Sequence, residues 1–297
     1  MPRRLQLTLR RMIVASKLKK CSKVWPIDPA SAKKPAWFKG WPEEKLFALL
    51  ITHDVEHAAG LQKLEQLLAI DRQFGIRSSV GIVPERYPVD ISAVNAVRNN
   101  GHEVYVHDLN HDGRLFSNYS TFHKRAPVIN RYIKEWDIDG FRAGAMHHNL
   151  DWIGELDIKY DMSTFDTDPF EPMPDGVNTI FPFVETSSST NRRYVEIPYT
   201  LPQDLMTLVL HPARSIDIWK NKIDWIAEHN GMALLNVHPD YIAFNNDEYS
   251  FHNYLVKCYM DFLDFLTQRH ADHFWNPLPS ELSNFIKNMH DKFLNEV

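Results

Sequence analysis

The feature that most constrains the fold is a regular alternation of short apolar runs with segments of helical spacing, which begins at Leu46. Such pairs repeat at intervals of roughly 25–35 residues, which is typical of βα units and a parallel sheet. The predicted strands are 46–52, 78–83, 103–107, 139–142, 160–164, 194–198, 206–210, 232–238 and 273–275. The predicted helices are 57–74, 90–99, 121–136, 149–156, 215–229, 249–270 and 281–294.

The chain divides by composition near residue 44. Its length of 297 residues fits a single α/β unit with an additional N-terminal part. We predict residues 45–297 as one catalytic domain with a helical C-terminal region, and residues 1–44 as a basic leader with an arm rich in proline and tryptophan. The prolines of 24–44 forbid a continuous helix there, so we expect an irregular arm whose aromatic side chains dock on the domain. Residues 166–192 are predicted to form a long loop.

The leader is basic and carries no acidic residue before Asp28. Two interpretations stay open: a solvated or loosely packed segment, and an amphipathic helix that contacts an anionic membrane surface or a lipid-linked substrate. The longest apolar stretch of the leader, 12–15, is too short for the core of a signal peptide. No apolar run of the chain approaches the ~20 residues of a membrane span. We therefore expect a cytoplasmic protein, peripheral to the inner face of the membrane.

Charge and cysteine content exclude other classes. The formal net charge of −5 argues against a general nucleic-acid-binding protein, which is usually basic. Cys21 and Cys258 are too few and too far apart for a disulfide framework or a zinc-finger pattern.

Ionisable side chains follow the ends of most predicted strands. Since the carboxyl ends of parallel strands meet at one rim, these side chains are expected to converge on a common site. An apolar core alone would not require them there. The candidates are Asp54, Glu56, His107, His111, Arg142, Asp161, Asp166, Asp168 and His238.

Each candidate has a chemical interpretation and a structural alternative. His107 and His111, with one carboxylate, suit a catalytic zinc-type site, although a pair of packed histidines is an alternative. Asp54 and Glu56 are two residues apart and can point the same way, as a base and a metal ligand or as a surface acid pair. Arg142 would keep Asp54 ionised or form an ordinary ion pair. His238 would protonate a leaving amine or be a buried histidine with its bonds satisfied.

In this order, the motifs over about residues 46–245 resemble the polysaccharide deacetylase family. The resemblance implies the NodB-homology fold, a distorted (β/α) barrel, here with extra C-terminal helices. It makes Asp54 the catalytic base, His107 and His111 metal ligands, Arg142 the residue that orients the base, and His238 the general acid. For the aspartates of the family's fourth motif, the resemblance offers these candidates: Asp161, Asp166 and Asp168.

The sequence also departs from the family pattern. Val55 stands where the family has its second aspartate, and Glu56 is the natural substitute as third ligand, with His53 or His57 as alternatives. Asp108 replaces the usual Ser or Thr of the second motif. The third motif reads Arg-Ala-Gly-Ala from Arg142 instead of Arg-x-Pro-aromatic, which argues against chitin-type substrates. The histidines that follow it are expected to line the pocket: His147 and His148.

The resemblance implies a divalent metal, most simply zinc, and hydrolysis of the N-acetyl bond of an amino sugar in a polysaccharide or its precursor. A precursor linked to a lipid or a nucleotide fits a cytoplasmic enzyme. Three alternatives remain: the same barrel acting on another C–N bond, such as a formyl-amino or ureide group; a catalytically degenerate barrel that binds glycans; and a metal-dependent oxygenase, since two histidines and a carboxylate also suit non-haem iron.

Overall fold

A computed structural model describes residues 3–244 and 247–296. Its strands are β1 (Phe47–Val55), β2 (Ser78–Ile82), β3 (Glu103–His107), β4 (Gly140–Arg142), β5 (Tyr160–Asp161), β6 (Phe183–Thr186), β7 (Arg193–Glu196), β8 (Met232–Asn236), β9 (Ile242–Ala243), β10 (Tyr254–Leu255) and β11 (Phe274–Trp275). Its α-helices are α1 (Arg3–Cys21), α2 (Ala58–Gln73), α3 (Ile91–Asn99), α4 (Tyr119–Glu135), α5 (Leu150–Ile153), α6 (Asp217–Glu228), α7 (Val256–Arg269) and α8 (Pro279–Glu296).

The main sheet curls into a parallel half-barrel. β1 pairs in parallel with β2 on one side and with β8 on the other, and the order continues through β3, β4, β5 and β7. Among the described strands, β6 alone is antiparallel to its neighbour, β7. After β7, the amides of Thr200 and Leu201 donate to the carbonyl of Leu234 in β8, which draws the far end of the sheet back towards its start. The predicted α/β architecture of the distorted (β/α) barrel type is therefore confirmed.

The central strands are buried over their whole length. All nine residues of β1 and all five of β8 are buried, because helices and the curled sheet cover both faces. This arrangement explains why the strands read as continuous apolar runs rather than as an alternation. It also fits the position of the polar residues of β1 and β8, which lie towards the carboxyl ends of these strands: Thr52, His53, Asp54 and Asn236.

The apolar run 206–210 was predicted as a strand, and that prediction is wrong. Leu205–Leu210 forms a π-helix, and the side chain of Asp204 accepts a hydrogen bond from the Leu205 amide at its start. A short run that is buried on every side has no periodicity to separate helix from strand, so the sequence could not decide between them. The predicted loop 166–192 likewise contains β6, and the last predicted long helices begin at Val256 and Pro279.

The N-terminal residues form a helix that docks on the barrel. Leu7 and Val14 are buried, and the Arg11 guanidinium donates to the carbonyl oxygens of Val209 and Phe251 at 2.9 and 2.8 Å. In the following arm, Trp41 is buried and its indole nitrogen donates to the carbonyl of Asn230. The division of the chain at residue 44 stays a prediction. Within the described residues, no helix is both long and apolar enough to cross a bilayer.

Candidate active site

A cavity of about 300 Å³ opens at the carboxyl ends of the central strands. The carboxyl ends of β1, β3 and β8 place ionisable side chains in this cavity, because parallel strands end at the same rim of the sheet. Residues from the N-terminal helix and from the segments after β5 and β7 complete its wall. The polar side chains that line it are Arg10, Asp54, Glu56, His107, His111, Asp168, Glu171, Gln203, His238 and Tyr241.

Asp54 is buried and its carboxylate is held by three neighbours. Tyr105 donates to Oδ1 at 2.5 Å, Asn236 donates to Oδ2 at 2.7 Å, and the Arg142 guanidinium lies 3.3 Å from Oδ2. Arg142 also donates to Thr52 and to the Tyr105 hydroxyl, both at 2.8 Å, so its own position is fixed. These contacts leave the carboxylate little rotational freedom.

The same neighbours set the charge of Asp54. Burial by itself would raise the pKa of this carboxyl, but the neighbouring His107, the positive charges of Arg142 and His238 and the hydrogen bond from Tyr105 outweigh it and hold the pKa well below its ordinary value. Asp54 is therefore an anion throughout the physiological pH range. An anionic carboxylate fixed in a cavity can accept a proton, which is the role that the sequence predicted for it.

A tight turn brings His107 and His111 together. Asp108 and His111 both have a positive φ, 58° and 50°, which turns the chain sharply at the end of β3. The two imidazole rings lie 4.8 Å apart between centroids, and His107 Nδ1 is 3.7 Å from Asp54 Oδ1. A positive φ is tolerated better by aspartate than by most residues, which fits Asp108 at this position.

His107 presents a free lone pair to the cavity. Its Nδ1 donates to the carbonyl oxygen of Arg142 at 3.2 Å, which leaves Nε2 as the unprotonated nitrogen. Nε2 is buried and has no hydrogen-bond partner. Burial lowers the pKa of His107 to about 4, so the ring is neutral at physiological pH. A buried nitrogen lone pair without a partner costs free energy, unless a ligand occupies it.

Glu56 lies between the two remaining histidines. Its Oε1 is 3.3 Å from His111 Nε2 and 4.0 Å from His238 Nε2, and Tyr241 donates to Oε2 at 2.8 Å. Burial would raise the pKa of Glu56, but His238 and His111 together lower it below the ordinary value. Glu56 is therefore ionised and faces the cavity at the place where the sequence predicted a third ligand.

Three side chains at the cavity have atoms that could coordinate a divalent cation: His107, His111 and Glu56. Two ligands of one tetrahedral zinc are about 3.3 Å apart, which is the separation of Glu56 Oε1 and His111 Nε2. Arg86 donates to His111 Nδ1 at 3.0 Å, so His111 Nε2 carries a proton that a cation would have to displace. Among the described residues, no group of three or more His, Cys, Asp or Glu side chains is already arranged as a complete cation site. His107 fits as it stands, and His111 with Glu56 fits once that proton is exchanged.

The alternative third ligands, His53 and His57, are engaged by other residues. Both ring nitrogens of His53 are engaged away from the cavity, with the carbonyl of Val237 and with the Asp71 carboxylate. His57 is bound by Asp240 and Arg86. Of the candidates that the sequence offered, Glu56 is thus the one that faces His111.

Comparison with known proteins identifies the fold. No family model and no curated protein sequence matches this chain. Solved structures do. A Mycobacterium smegmatis protein assigned as a polysaccharide deacetylase superposes with a TM-score of 0.65 at 16% identity, over 86% of this chain and 96% of its own. The chain has the polysaccharide deacetylase fold.

Two further structures support this. Puue allantoinase superposes with a TM-score of 0.63 at 13% identity, over 86% of this chain and 94% of its own. A probable polysaccharide deacetylase from Pseudomonas aeruginosa PAO1 gives 0.59 at 15% identity, over 82% and 92%. The resemblance drawn from the motifs is therefore confirmed for the fold. The roles of individual residues within the polysaccharide deacetylase fold remain proposals.

His238 has a partner that the sequence analysis missed. Asp204, which precedes the π-helix, lies with Oδ1 2.7 Å from His238 Nδ1, and its Oδ2 accepts from the His238 amide at 2.8 Å and from the Tyr254 hydroxyl at 2.9 Å. Burial would lower the pKa of His238, but Asp204, Glu56 and Asp54 raise it to about 10. His238 is thus an imidazolium at neutral pH and can serve as a proton donor.

Of the aspartates chosen as candidates for the fourth motif, only one lines the cavity. Asp168 does so and accepts from the Tyr199 hydroxyl at 3.0 Å. Asp161 is buried beneath, where Ser163 donates to it, and Asp166 forms a fully buried ion pair with Lys222 at 2.7 Å. Asp204, which the sequence analysis did not include, is the aspartate that bonds His238. With 206–210 as a predicted strand, Asp204 precedes the strand instead of following its carboxyl end, so no strand-end signal marks it.

The expectation that His147 and His148 line the pocket is also corrected. Neither belongs to the described lining of the cavity, where Ala145 and Met146 stand instead. His148 Nδ1 bonds the carbonyl of Met146, and its Nε2 faces Asp175 at 3.8 Å. Ala145 and Met146 both have a positive φ, 53° and 54°, which turns the chain sharply just before the two histidines.

Proposed function

We propose that this protein is a metal-dependent hydrolase that cleaves the N-acetyl C–N bond of an amino sugar. One observation carries the proposal. The cavity holds an anionic Asp54 and a cationic His238, which are the base and the acid that amide hydrolysis needs. The neutral His107 lines the same cavity. Environments that drive two titratable groups in opposite directions are typical of acid–base catalytic pairs.

In this mechanism, Asp54 accepts a proton from the attacking water, and the bonds from Tyr105, Asn236 and Arg142 keep its carboxylate aimed. His238 donates a proton to the departing nitrogen, which otherwise is a poor leaving group. The residues that would hold a divalent cation, most simply zinc, are His107, His111 and Glu56. When bound, the cation supplies Lewis-acid activation of the amide carbonyl and of water.

The rest of the cavity suits a polar substrate the size of a sugar. Asp168, Glu171 and Gln203 offer hydrogen-bond acceptors and donors to hydroxyl groups, while Phe170 and Tyr241 offer aromatic surface. Arg10 at the same cavity can pair with a phosphate, as a lipid- or nucleotide-linked precursor would provide. We accordingly propose such a precursor as substrate, met on the cytoplasmic side of a membrane.

A second candidate is the same chemistry on another C–N bond. The wall that the third motif builds here consists of Ala143, Ala145 and Met146, which shapes the pocket differently from a wall with proline and an aromatic residue. The fold is also shared with Puue allantoinase. Parallel assays on acetylated, formylated and ureide compounds separate the two candidates, because each predicts turnover in a different arm.

The deciding experiment is acetate release from N-acetylated sugars by the zinc-loaded protein and by its Asp54→Asn variant. Removal of a general base is expected to lower kcat by about 10²–10⁴-fold while the fold and the metal content are kept. Undiminished acetate release by Asp54→Asn would refute the role of Asp54. A wild-type protein that binds glycans but turns over none of the three substrate classes would instead indicate a degenerate, glycan-binding barrel.

A further inference from the structure

The N-terminal helix α1 has one face that is accounted for by the fold. Leu7 and Val14, seven residues apart, are buried against the barrel. Arg11 on the same side lies with its guanidinium carbon 3.6 Å from the centre of the Phe251 ring and bonds two backbone carbonyls. These contacts fix how the helix is rotated on the barrel, and therefore which side chains must point outwards.

The opposite face of α1 is apolar and exposed. Leu5, Leu9, Met12 and Ile13 are 49%, 43%, 64% and 55% exposed. Their spacing of four, three and one places them on one side of a helix with 3.6 residues per turn, away from Leu7. Large apolar side chains grouped on one exposed face usually mark a binding surface.

The charge around this stripe is of one sign. Among its described side chains, α1 carries no acidic residue in its first turn and two lysines in its last, Lys19 and Lys20. The remaining exposed cations that flank the stripe are Arg4, Arg10 and Lys17. A second copy of this helix would bring like charges together, which disfavours self-association through this face. An apolar stripe flanked by cations is instead complementary to a surface of anionic lipid headgroups.

The helix also reaches the cavity. Arg10 belongs to the cavity lining, within the same turns as Leu9 and Met12. We infer that the outer face of α1, formed by Leu5, Leu9, Met12 and Ile13, docks on an anionic membrane surface. In that position the mouth of the cavity lies beside the lipid headgroups. The further step, that the sugar substrate is anchored in that membrane, rests on the proposed function.

The test uses the full chain and vesicles of two compositions, pure phosphatidylcholine and phosphatidylcholine mixed with phosphatidylglycerol. Cosedimentation is expected to show at least about tenfold stronger partition to the anionic vesicles, weakening as salt is raised. The double variant Leu9→Asp, Met12→Asp should lose that partition. The matched control Leu294→Asp replaces an equally exposed leucine, 54%, on α8 and should partition like the wild type.

Several results would overturn the inference: no partition to anionic vesicles at low salt, equal partition to both compositions, or undiminished partition of the double variant. A dimer in sedimentation velocity that disappears in the double variant would assign the face to a second copy instead. Hydrolysis of a soluble N-acetyl sugar, measured in the same preparations, should be equal in wild type and double variant. Since vesicle partition is read without any substrate, failure of the proposed function and failure of the membrane contact are seen separately.

Discussion

Asp204 and His238 are 34 residues apart in the chain, yet the aspartate meets the imidazole at 2.7 Å and its backbone amide at 2.8 Å. This double contact fixes both the orientation and the protonation of the ring. It makes the histidine, which alone would titrate near neutrality, a cation up to a pH of about 10. The proton that the proposed acid would donate is therefore held by a residue outside the described lining of the cavity.

The first prediction concerns the pH profile of the Asp204→Asn variant. The proposed acid must be protonated, so activity is lost as pH rises through the pKa of His238. Because the aspartate charge raises this pKa, its removal should shift the alkaline limb of kcat/KM to lower pH by about one unit or more. The profile of a soluble N-acetyl substrate measures this shift. An unmoved alkaline limb with intact fold would contradict the assigned proton donor.

Gly81 on β2 gives the second prediction. A Cβ at this position would stand 2.5 Å from Asp54 Oδ1 and 2.5 Å from a ring carbon of Tyr105, so Gly81→Ala must displace the carboxylate. A displacement near 1 Å at a reacting group can cost about 10²-fold in rate. We expect a loss of that order in kcat with a cooperative thermal transition retained. Ser79→Ala, on the same buried strand, is the control that should stay near wild-type activity.

The third prediction concerns metal content. His107→Ala removes the buried lone pair that has no partner, so the purified variant should bind zinc at least about tenfold more weakly than the wild type. Elemental analysis and competition with a chromogenic chelator measure this without any substrate. His147→Ala, a histidine outside the described cavity lining, serves as control. Equal affinity of both variants would remove His107 from the ligand set.

The fourth prediction addresses stability at the ion pair between Lys222 and Asp166, which is fully buried at 2.7 Å. Lys222→Met leaves a carboxyl buried without its partner, and we expect a loss of about 3–5 kcal/mol in the free energy of unfolding. The double variant Lys222→Met, Asp166→Leu should recover much of that loss, because no charge is then left unpaired. Urea denaturation measures the free energy of unfolding of both variants. A double variant as unstable as the single one would contradict the prediction that the unpaired charge causes the loss.

The outline of the fold was predictable because a buried parallel sheet requires a recognisable pattern in the sequence. Buried strands such as β1 and β8 begin with unbroken apolar runs, 47–51 and 232–235, and their polar residues lie towards the carboxyl ends. This pattern also placed Asp54, His107 and His238 at one rim. The same pattern wrongly predicts a strand at 206–210, where the structure has a π-helix, since an apolar run buried on all sides fits the periodicity of either element.

The sequence by itself determined which chemical groups would meet: an aspartate, a glutamate, an arginine and three histidines, which lie at or just after the strand ends that a parallel sheet brings together. Only the tertiary structure decided their states, because charge and orientation depend on neighbours that are remote in the chain. Tyr105 and Asn236 orient Asp54, and the Asp204 carboxylate stabilises the protonated form of His238, although none of these three is among the candidate site residues of the sequence. A pKa is set by burial and by charges within a few ångströms, and those distances exist only once the chain has folded.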